Sequence, residues 1–351
     1  MAEGNNLVGV DIGSSSIKVC HLKDGRKGLE LTRLGFAELP PQTIVDGHVM
    51  NSGAVIESLG RIFQDKKIKS KDVAMSVSGQ SVIIRKITVP MMTPDELAEQ
   101  IQWEAEQHIP FDIKDVHIDY EVLRRRPEAG QMDLLLVAAK RDEIQDYAQL
   151  ARAAKLRPQV VDIDAFTIQN VFEFSRGLAP DQTFALINVG ASLSTLNIIA
   201  RGVSTFTRDI ANGGNFITDE IRKRLSISLE QAEALKCGRA DAGPPPPQLA
   251  QIMEGVVDSI AGEIQRSLDF FVATSGEAEI ARIFLTGGTA KLPLLAQAIE
   301  RRARSPVEVF SPLERIGVDP SSVDPVALAA LGPQLAVALG LSMRKDREKR
   351  S

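Results

Sequence analysis

The 351-residue chain carries 41 Lys and Arg against 46 Asp and Glu, a formal net charge of −5, with 44% hydrophobic and 25% charged residues. That balance belongs to an ordinary globular protein too long for one core, and it provides no global positive field for nucleic acid. Two cysteines (Cys20, Cys237) and four scattered histidines (His21, His48, His108, His117) exclude a disulfide framework and metal-ligand spacing, so a reducing cytoplasm is the simplest compartment.

The N-terminus shows no signal-peptide pattern, because Asp11 interrupts the first apolar run. Strands are expected near 7–12, 17–23 and 28–37, the last two joined by a Lys23-Asp24-Gly25 turn. Val10-Asp11-Ile12-Gly13-Ser14-Ser15-Ser16-Ile17-Lys18 reads as strand, tight turn, strand, with β-branched residues flanking a permissive glycine. Such a turn aims backbone N–H groups and hydroxyls at one place, which suits a phosphate chain. A helix near 52–66 and a strand near 72–78 follow.

Residues 81–158 read as a compact module of strands and two helices. Val82 to Ile87 looks like a strand. Thr93-Pro94-Asp95-Glu96 opens a helix as a capping box with proline in its first turn. Leu97, Ile101, Ala105 and Ile109 keep one helical face, and the single Trp103 lies off it, either packed in a core or exposed to a partner. Strands near 116–123 and 132–139, a helix at 141–154 and a strand at 156–163 complete the module. Arg124-Arg125-Arg126, beside Pro127, is expected in a solvated loop.

The second half starts with a near copy of the first turn: Leu186-Ile187-Asn188-Val189-Gly190-Ala191-Ser192-Leu193-Ser194-Thr195-Leu196. Placing Gly13 on Gly190 puts Asp11 on Asn188 and Ser15 on Ser192. Ala211-Asn212-Gly213-Gly214 precedes a helix, and Ser228-Leu229-Glu230-Gln231 makes a second capping box ahead of Cys237. Within that helix Glu233 and Lys236 share a face, as a surface ion pair or as a ligand pair. Gly243 and Pro244 to Pro247 make a stiff connector, and Leu249 to Phe271 hold helical spacing. Ile283 to Ala290 reads as a strand running into Gly287-Gly288, where a flat base could approach the backbone. Pro325 to Met343 carries no charge beyond its N-terminal neighbour Asp324, but Gly332-Pro333 breaks it, so two buried helices are expected rather than a membrane span.

The chemistry converges on phosphate. Asp11 can hold Mg²⁺ through water, Ser14 to Ser16 offer hydroxyl and backbone donors, and Lys18 supplies positive charge.

The order of these turns is similar to that of the actin-like ATPase superfamily, which includes actin, the DnaK chaperones, sugar kinases and FtsA. The resemblance implies an α/β, two-lobed actin-like (duplicated RNase H-like) fold with an insert like the FtsA 1C subdomain. It divides the chain into a lobe 1 core at 1–80 with 159–182 and 325–343, an insert at 81–158, a lobe 2 core at 183–324 with a helical subdomain at about 213–275, and a charged tail at 344–351. Connecting helices would lie at 164–174 and 334–343, where Ala336, Ala338 and Gly340 allow close crossing.

Carried over residue by residue, the resemblance assigns nucleotide contacts to Gly13, Ser14, Ser15, Ser16 and Lys18 in the first turn, and to Asn188, Gly190, Ala191 and Ser192 in the second. It adds Gly213, Gly214, Glu233 and Lys236, then Gly287, Gly288 and Thr289. Asp11, holding Mg²⁺ through water, and Asp164 would be the catalytic carboxylates, and ATP or ADP with Mg²⁺ the cofactors. Where such proteins commonly have Asp, this chain has Asn188, a neutral amide with weaker metal affinity and no capacity as a base. A nucleotide-loaded adaptor, at most a slow ATPase, is expected.

More narrowly, 10–18, Gln102-Trp103-Glu104-Ala105-Glu106-Gln107-His108-Ile109-Pro110-Phe111, Val161-Asp162-Ile163-Asp164-Ala165-Phe166, 188–191 and Gly213-Gly214-Asn215-Phe216-Ile217-Thr218 resemble the PilM family of type IV pilus assembly proteins. That resemblance implies a cytoplasmic protein held at the inner membrane by partners and supporting pilus assembly and twitching motility. Its insert would bind the N-terminal peptide of PilN; PilO, PilP and the secretin would be reached indirectly, and the motors PilB and PilT and the platform protein PilC would be neighbours. A homo-oligomer is compatible with it, and no nucleic-acid partner is expected. An FtsA-like tether of cell-division filaments, a small-molecule kinase and the cytoplasmic part of a type II secretion protein remain as alternatives.

Overall fold

The structure, a computed structural model, describes residues 4–25, 28–276 and 279–346. The first sheet is built on an antiparallel meander of β1 (Val8–Ile12), β2 (Ser16–Gly25) and β3 (Gly28–Glu38). Lys23, Asp24 and Gly25, expected as a turn, are strand residues paired with Glu30, Leu29 and Gly28, and Arg26 and Lys27 lie outside the described residues. A small hairpin of β4 (Ile44–Val45) and β5 (His48–Val49) leads into α1 (Ser52–Asp65), which Asn51 caps from its side chain and which buries Val55, Leu59, Ile62 and Phe63. β6 (Asp72–Val77) then returns parallel to β1.

The chain leaves this sheet for β7 (Val82–Pro90), α2 (Pro94–Glu106), β8 (Val116–Arg126) and β9 (Gln131–Lys140), a three-stranded sheet in the order β7-β9-β8. Thr93 and Glu96 form the expected capping box. The sheet and helix share a core of their own, in which Leu97, Ile101 and Ala105 meet Ile87, Met132, Leu134 and Leu136. Trp103 falls outside that core and is 75% exposed, which decides between its two readings. Arg124 to Arg126 pair with β9 as part of a strand, not a loop, and Arg126 reaches Asp133 at 2.6 Å.

β9 runs straight into α3 (Arg141–Ala153). That helix packs Tyr147, Leu150 and Ala151 into the first lobe's core beside Val55 and Leu59, not into the insert's. β10 (Arg157–Ile163) joins β6 in parallel and passes without a loop into α4 (Asp164–Arg176).

The second lobe repeats the plan. β11 (Thr183–Val189), β12 (Ser194–Ala200) and β13 (Val203–Ile210) form the meander, followed by α5 (Gly214–Leu225), α6 (Leu229–Lys236) and the long α7 (Leu249–Ser275). β14 (Arg282–Thr286), α8 (Pro293–Ala303) and β15 (Val307–Val309) complete the sheet. Its strand order, β13-β12-β11-β14-β15, matches β3-β2-β1-β6-β10 of the first sheet, antiparallel and parallel pairings included; β16 (Gly317–Val318) extends the first sheet at β3. The strand β13 and the short strands β4, β5, β15 and β16 are absent from the sequence-based expectation.

The lobes meet through α4 and the last helices, α9 (Pro325–Leu331) and α10 (Ala336–Ser342), which a 3₁₀ turn at Gly332–Leu335 separates. By length and apolarity Pro325–Ser342 could cross a membrane, with mean hydropathy 1.6, yet every residue of α10 is buried in the protein. Two glycines permit this. A Cβ on Gly340 would stand 2.0 Å from the Thr167 carbonyl of α4, and one on Gly9 would stand 2.1 Å from the Ala338 carbonyl. Phe172 of α4 packs its ring against Phe184, Phe284 and Phe310, with centroids 5.2, 4.7 and 5.1 Å away, so aromatic packing ties α4 to the second sheet. Asp346 ends the described residues, and the rest of the expected charged tail lies outside them.

Candidate functional site

The two copied turns have the same hydrogen bond as well as the same sequence pattern. Gly13 N–H donates to the Ser16 carbonyl at 3.1 Å, and Gly190 N–H donates to the Leu193 carbonyl at 2.9 Å. Both turns open into one cavity of about 190 Å³ between the lobes, lined by Gly13, Ser14 and Ser15 from one side and Gly190, Ala191 and Ser192 from the other. A larger groove, about 700 Å³, lies on the outer face of lobe 1 among Asn5, Arg33, Lys67 and Asp346. No duplicated turn reaches it, so the site belongs in the interlobe cavity.

Asp11 and Lys18 are cross-strand partners on β1 and β2, which puts their side chains on one face. The Lys18 ammonium lies 3.2 Å from the Asp11 carboxylate, both largely buried, and 3.4 Å from the Ser16 carbonyl. At the same places in lobe 2, Asn188 faces Thr195, a neutral pair. Ser16 itself is buried at the start of β2 and does not line the cavity.

Asp164 does line it, at the point where β10 becomes α4. Its carboxylate accepts from the Ser76 hydroxyl at 2.5 Å. Burial first, and then the Asp11 carboxylate, push its pKa up to about 7.

Gly287 and Gly288 also line the cavity, but only the first is required to be glycine by the backbone. Gly287 has φ of +92°, and a Cβ there would lie 2.5 Å from the Val189 carbonyl and 2.6 Å from Asn188 Oδ1. At Gly288 a Cβ would make only ordinary contact, 3.5 Å from Gln334.

The other expected residues stand behind the second turn, outside the cavity lining. Gly214 and Asn215 N–H groups donate to the Gly190 and Ala191 carbonyls at 3.0 and 2.7 Å, with Gly213 packed against the same carbonyls. Thr289 donates to Gly190 O at 2.7 Å. Lys236 is 2.6 Å from Glu233 and donates to Thr218 and to the Gly214 carbonyl. With the Lys236 side chain 9% exposed, this is an anchored pair and not a solvated surface one. Burial raises the Glu233 pKa, but the Lys236 charge and hydrogen bonds from Lys236, Thr218 and Cys237 outweigh it and leave it below the ordinary value.

Sequence reasoning missed several lining residues, among them Asp46, Tyr147, Thr195, Asp209 and Gln334. The signal for Asp209 was present: Val203 to Ile210 is a β-prone run, and the third strand of the copied meander must lie beside the second turn. Tyr147 donates its hydroxyl to the Gly47 carbonyl at 3.2 Å.

Four aspartates (Asp11, Asp46, Asp164, Asp209) and one cation, Lys18, line the cavity among the described residues. A polyanion entering such a site needs added positive charge. The Asp209 carboxylate accepts from the Gly79 N–H at 2.7 Å and has the Thr195 hydroxyl as a second hydrogen-bond partner. A lining this acidic suits a hydrated divalent cation. Among the described residues no three His, Cys, Asp or Glu side chains converge as direct ligands, so contact through water is the arrangement this donor set suits.

A family model described as "Type IV pilus assembly protein PilM" matches residues 9–346. The solved structure of a "PilM-PilN type IV pilus biogenesis complex" is similar over 98% of this chain and 99% of its own, at 27% identity and a TM-score of 0.86. The cell division protein FtsA of Streptococcus pneumoniae is 23% identical over 271 residues, which is 70% of this chain and 58% of FtsA. The chain spans 39% to 58% of the length of the curated relatives it matches. MreB5 of Spiroplasma citri bound to ADP covers 97% of the chain at 13% identity and a TM-score of 0.56, a likeness of fold alone. The duplicated sheets and these neighbours together make this a two-lobed actin-like fold.

Proposed function

The chain belongs to the PilM family of type IV pilus assembly proteins, and on that premise we propose that it is a nucleotide-loaded adaptor of the pilus machine. One observation carries the nucleotide reading: the two copied turns line a single interlobe cavity. In this reading the turns hold the phosphates of ATP or ADP through Ser14, Ser15, Ser192 and backbone N–H groups, and Lys18 turns from Asp11 toward a phosphate oxygen. Gly214, Lys236 and Thr289, with Gly213 and Glu233 beside them, act in this reading from behind the second turn, holding its backbone in place through their hydrogen bonds. Mg²⁺ held through water near Asp11 would supply the positive charge that the aspartate-lined cavity lacks. Asp164, with its raised pKa, holds a proton at its carboxyl part of the time near neutrality and so orients water only weakly as an acceptor; with Asn188 opposite, turnover is slow.

The insert of β7, α2, β8 and β9 is the proposed partner module. The complex of a PilM with PilN supports PilN as its ligand, bound as an extended N-terminal peptide whose backbone pairs at a sheet edge while apolar side chains fill pockets. PilO, PilP and the secretin would follow through PilN, with PilB, PilT and PilC as neighbours. The protein would thereby sit on the cytoplasmic side of the inner membrane and support pilus assembly and twitching motility. Similarity to FtsA leaves a cell-division role as the second reading, but the likeness to the PilM structure extends over the whole chain and favours the pilus.

The test is titration of the intact protein with Mg-ATP by calorimetry and with a PilN N-terminal peptide by Trp103 fluorescence. Saturable binding of both supports the adaptor; failure of the folded protein to bind either refutes that half of the reading. Deleting 81–158 is the wrong control, because α3 would leave lobe 1 without Tyr147, Leu150 and Ala151.

A further inference from the structure

The groove on the outer face of lobe 1 has a charge imbalance that the cleft does not explain. Its walls come from the end of β2 (His21 to Asp24), from Thr32 and Arg33 of β3, and from residues 67–70 between α1 and β6. Lys67 leaves α1 in the left-handed region, with φ of +52° and its N–H donating to the Gln64 carbonyl at 3.1 Å. Ile68 is then buried in the lobe 1 core, and this anchor leaves Lys67 and Lys69 exposed at the groove on either side of it. Three carboxylates also line the groove, and each is already engaged. Asp24 accepts from Lys345 at 2.7 Å, Asp72 from the Arg157 fork at 2.8 and 2.7 Å, and Asp346 from the Asn5 N–H at 3.0 Å. Lys23, Arg33, Lys67 and Lys69 are left with no carboxylate at ion-pair distance among the described residues. Arg33 donates to the Thr32 carbonyl, and Asp319 feels its charge only from farther away. In a chain of net charge −5, four uncompensated cations around one groove repel one another until an anion enters. His21, in the same wall, records that field: burial, and then the charges of Lys23 and Arg33, push its pKa down to about 4.

We propose that this groove is a binding site for a phosphate-bearing anion, separate from the interlobe cavity and formed by Lys23, Arg33, Lys67 and Lys69. Arg33 supplies a guanidinium fork that matches two phosphate oxygens, and the three ammonium groups act as point charges around it. The neutral His21 ring adds a hydrogen-bonding edge. A volume of about 700 Å³ is that of a small-molecule site, and four cations from three segments suit two or more phosphate charges better than one. A free organic phosphate and a phospholipid headgroup offer this same chemistry. The inference does not rest on the nucleotide reading, because groove and cleft share no lining residue.

His21 is the reporter. In the free protein its ring stays neutral at neutral pH, and an anion beside Lys23 and Arg33 favours the imidazolium. Inorganic tripolyphosphate at low salt should therefore raise the His21 pKa saturably by about one unit, read by NMR of the folded protein. The shift should persist in Lys18→Met, which alters the cleft and leaves the groove intact. Lys67→Gln with Lys69→Gln should weaken tripolyphosphate binding about fivefold or more. The charge-matched pair Lys66→Gln with Lys86→Gln, at exposed lysines outside the groove lining, should leave it within about twofold. Sedimentation with phosphatidylglycerol and with phosphatidylcholine vesicles identifies the source. Retention on the first alone, lost in the groove pair, assigns a lipid headgroup; a His21 shift in solution without retention assigns a free phosphate. No His21 shift together with no retention overturns the inference. An equal loss in both lysine pairs overturns it too, because diffuse surface charge then accounts for the binding.

Discussion

Replacing Lys18 with methionine tests the cavity most directly, because stem length is kept and only the charge is lost. Lys18 holds two jobs in the structure. It neutralises Asp11 at 3.2 Å in a place where the two side chains are 11% and 13% exposed, and it is the only cation among the described lining residues. Breaking a fully buried ion pair from one side costs about 3–5 kcal/mol. The cavity hydrates this pair in part, so about 1–3 kcal/mol is the expected loss of stability. Binding loses a charge-assisted hydrogen bond, about 1.5–3 kcal/mol, which is roughly 10- to 150-fold in Mg-ATP affinity. The freed Asp11 carboxylate then repels phosphate and pushes the loss toward the upper end. The double variant Asp11→Asn, Lys18→Met removes the orphaned charge, so urea denaturation should show most of the stability restored while calorimetry shows binding still weak. Lys18→Met binding Mg-ATP within twofold of the parent would refute the placement of phosphate beside β1 and β2.

Other expectations follow from single sites. Gly340→Val forces a side chain into the Thr167 carbonyl and should cost roughly 3 kcal/mol or prevent folding, whereas Gly60→Ala, where α1 has open space, should gain about 0.5–1 kcal/mol by the same denaturation assay. Asp164 has a folded-state pKa raised from 3.8 to about 7, so its contribution is favourable at low pH and is lost as pH rises between those values. Asp164→Asn should flatten that fall and leave the protein more stable at pH 8, on the order of 2 kcal/mol after allowance for the open cavity, and an identical pH–stability curve would contradict it. Trp103→Ala should leave the melting temperature within a degree or two and weaken PilN-peptide binding severalfold, read by anisotropy of a labelled peptide. Phosphate release from ATP should run below about 1 s⁻¹, rising in Asn188→Asp if a carboxylate at the second turn is what limits it.

How much of this was legible from residue order alone divides along the range of the forces. The strand-turn-strand copies and the capping boxes at Thr93 and Ser228 could be read directly, and the α4–α10 pairing followed from the family resemblance. Period-2 and period-3.6 patterns, cap side chains and small residues act within a few positions, and most expected strands and helices lie within about three residues of the observed ones. The cleft could be inferred because a duplicated phosphate turn makes sense only if the copies face one another. What needed the folded chain was each question of which surface meets which. Trp103 is exposed because the stripe from Leu97 to Ala105 already fills the insert's core. α3 belongs to lobe 1 because β9 delivers it there, and Glu233 with Lys236 is anchored because Gly214 and Thr218 lie beneath it. Asp209 reaches the cleft only because β13 pairs in register with Thr195 and Gly79 closes over it from the other lobe. Residues 130 positions apart in the chain meet there through sheet register and interlobe packing, which no local pattern encodes.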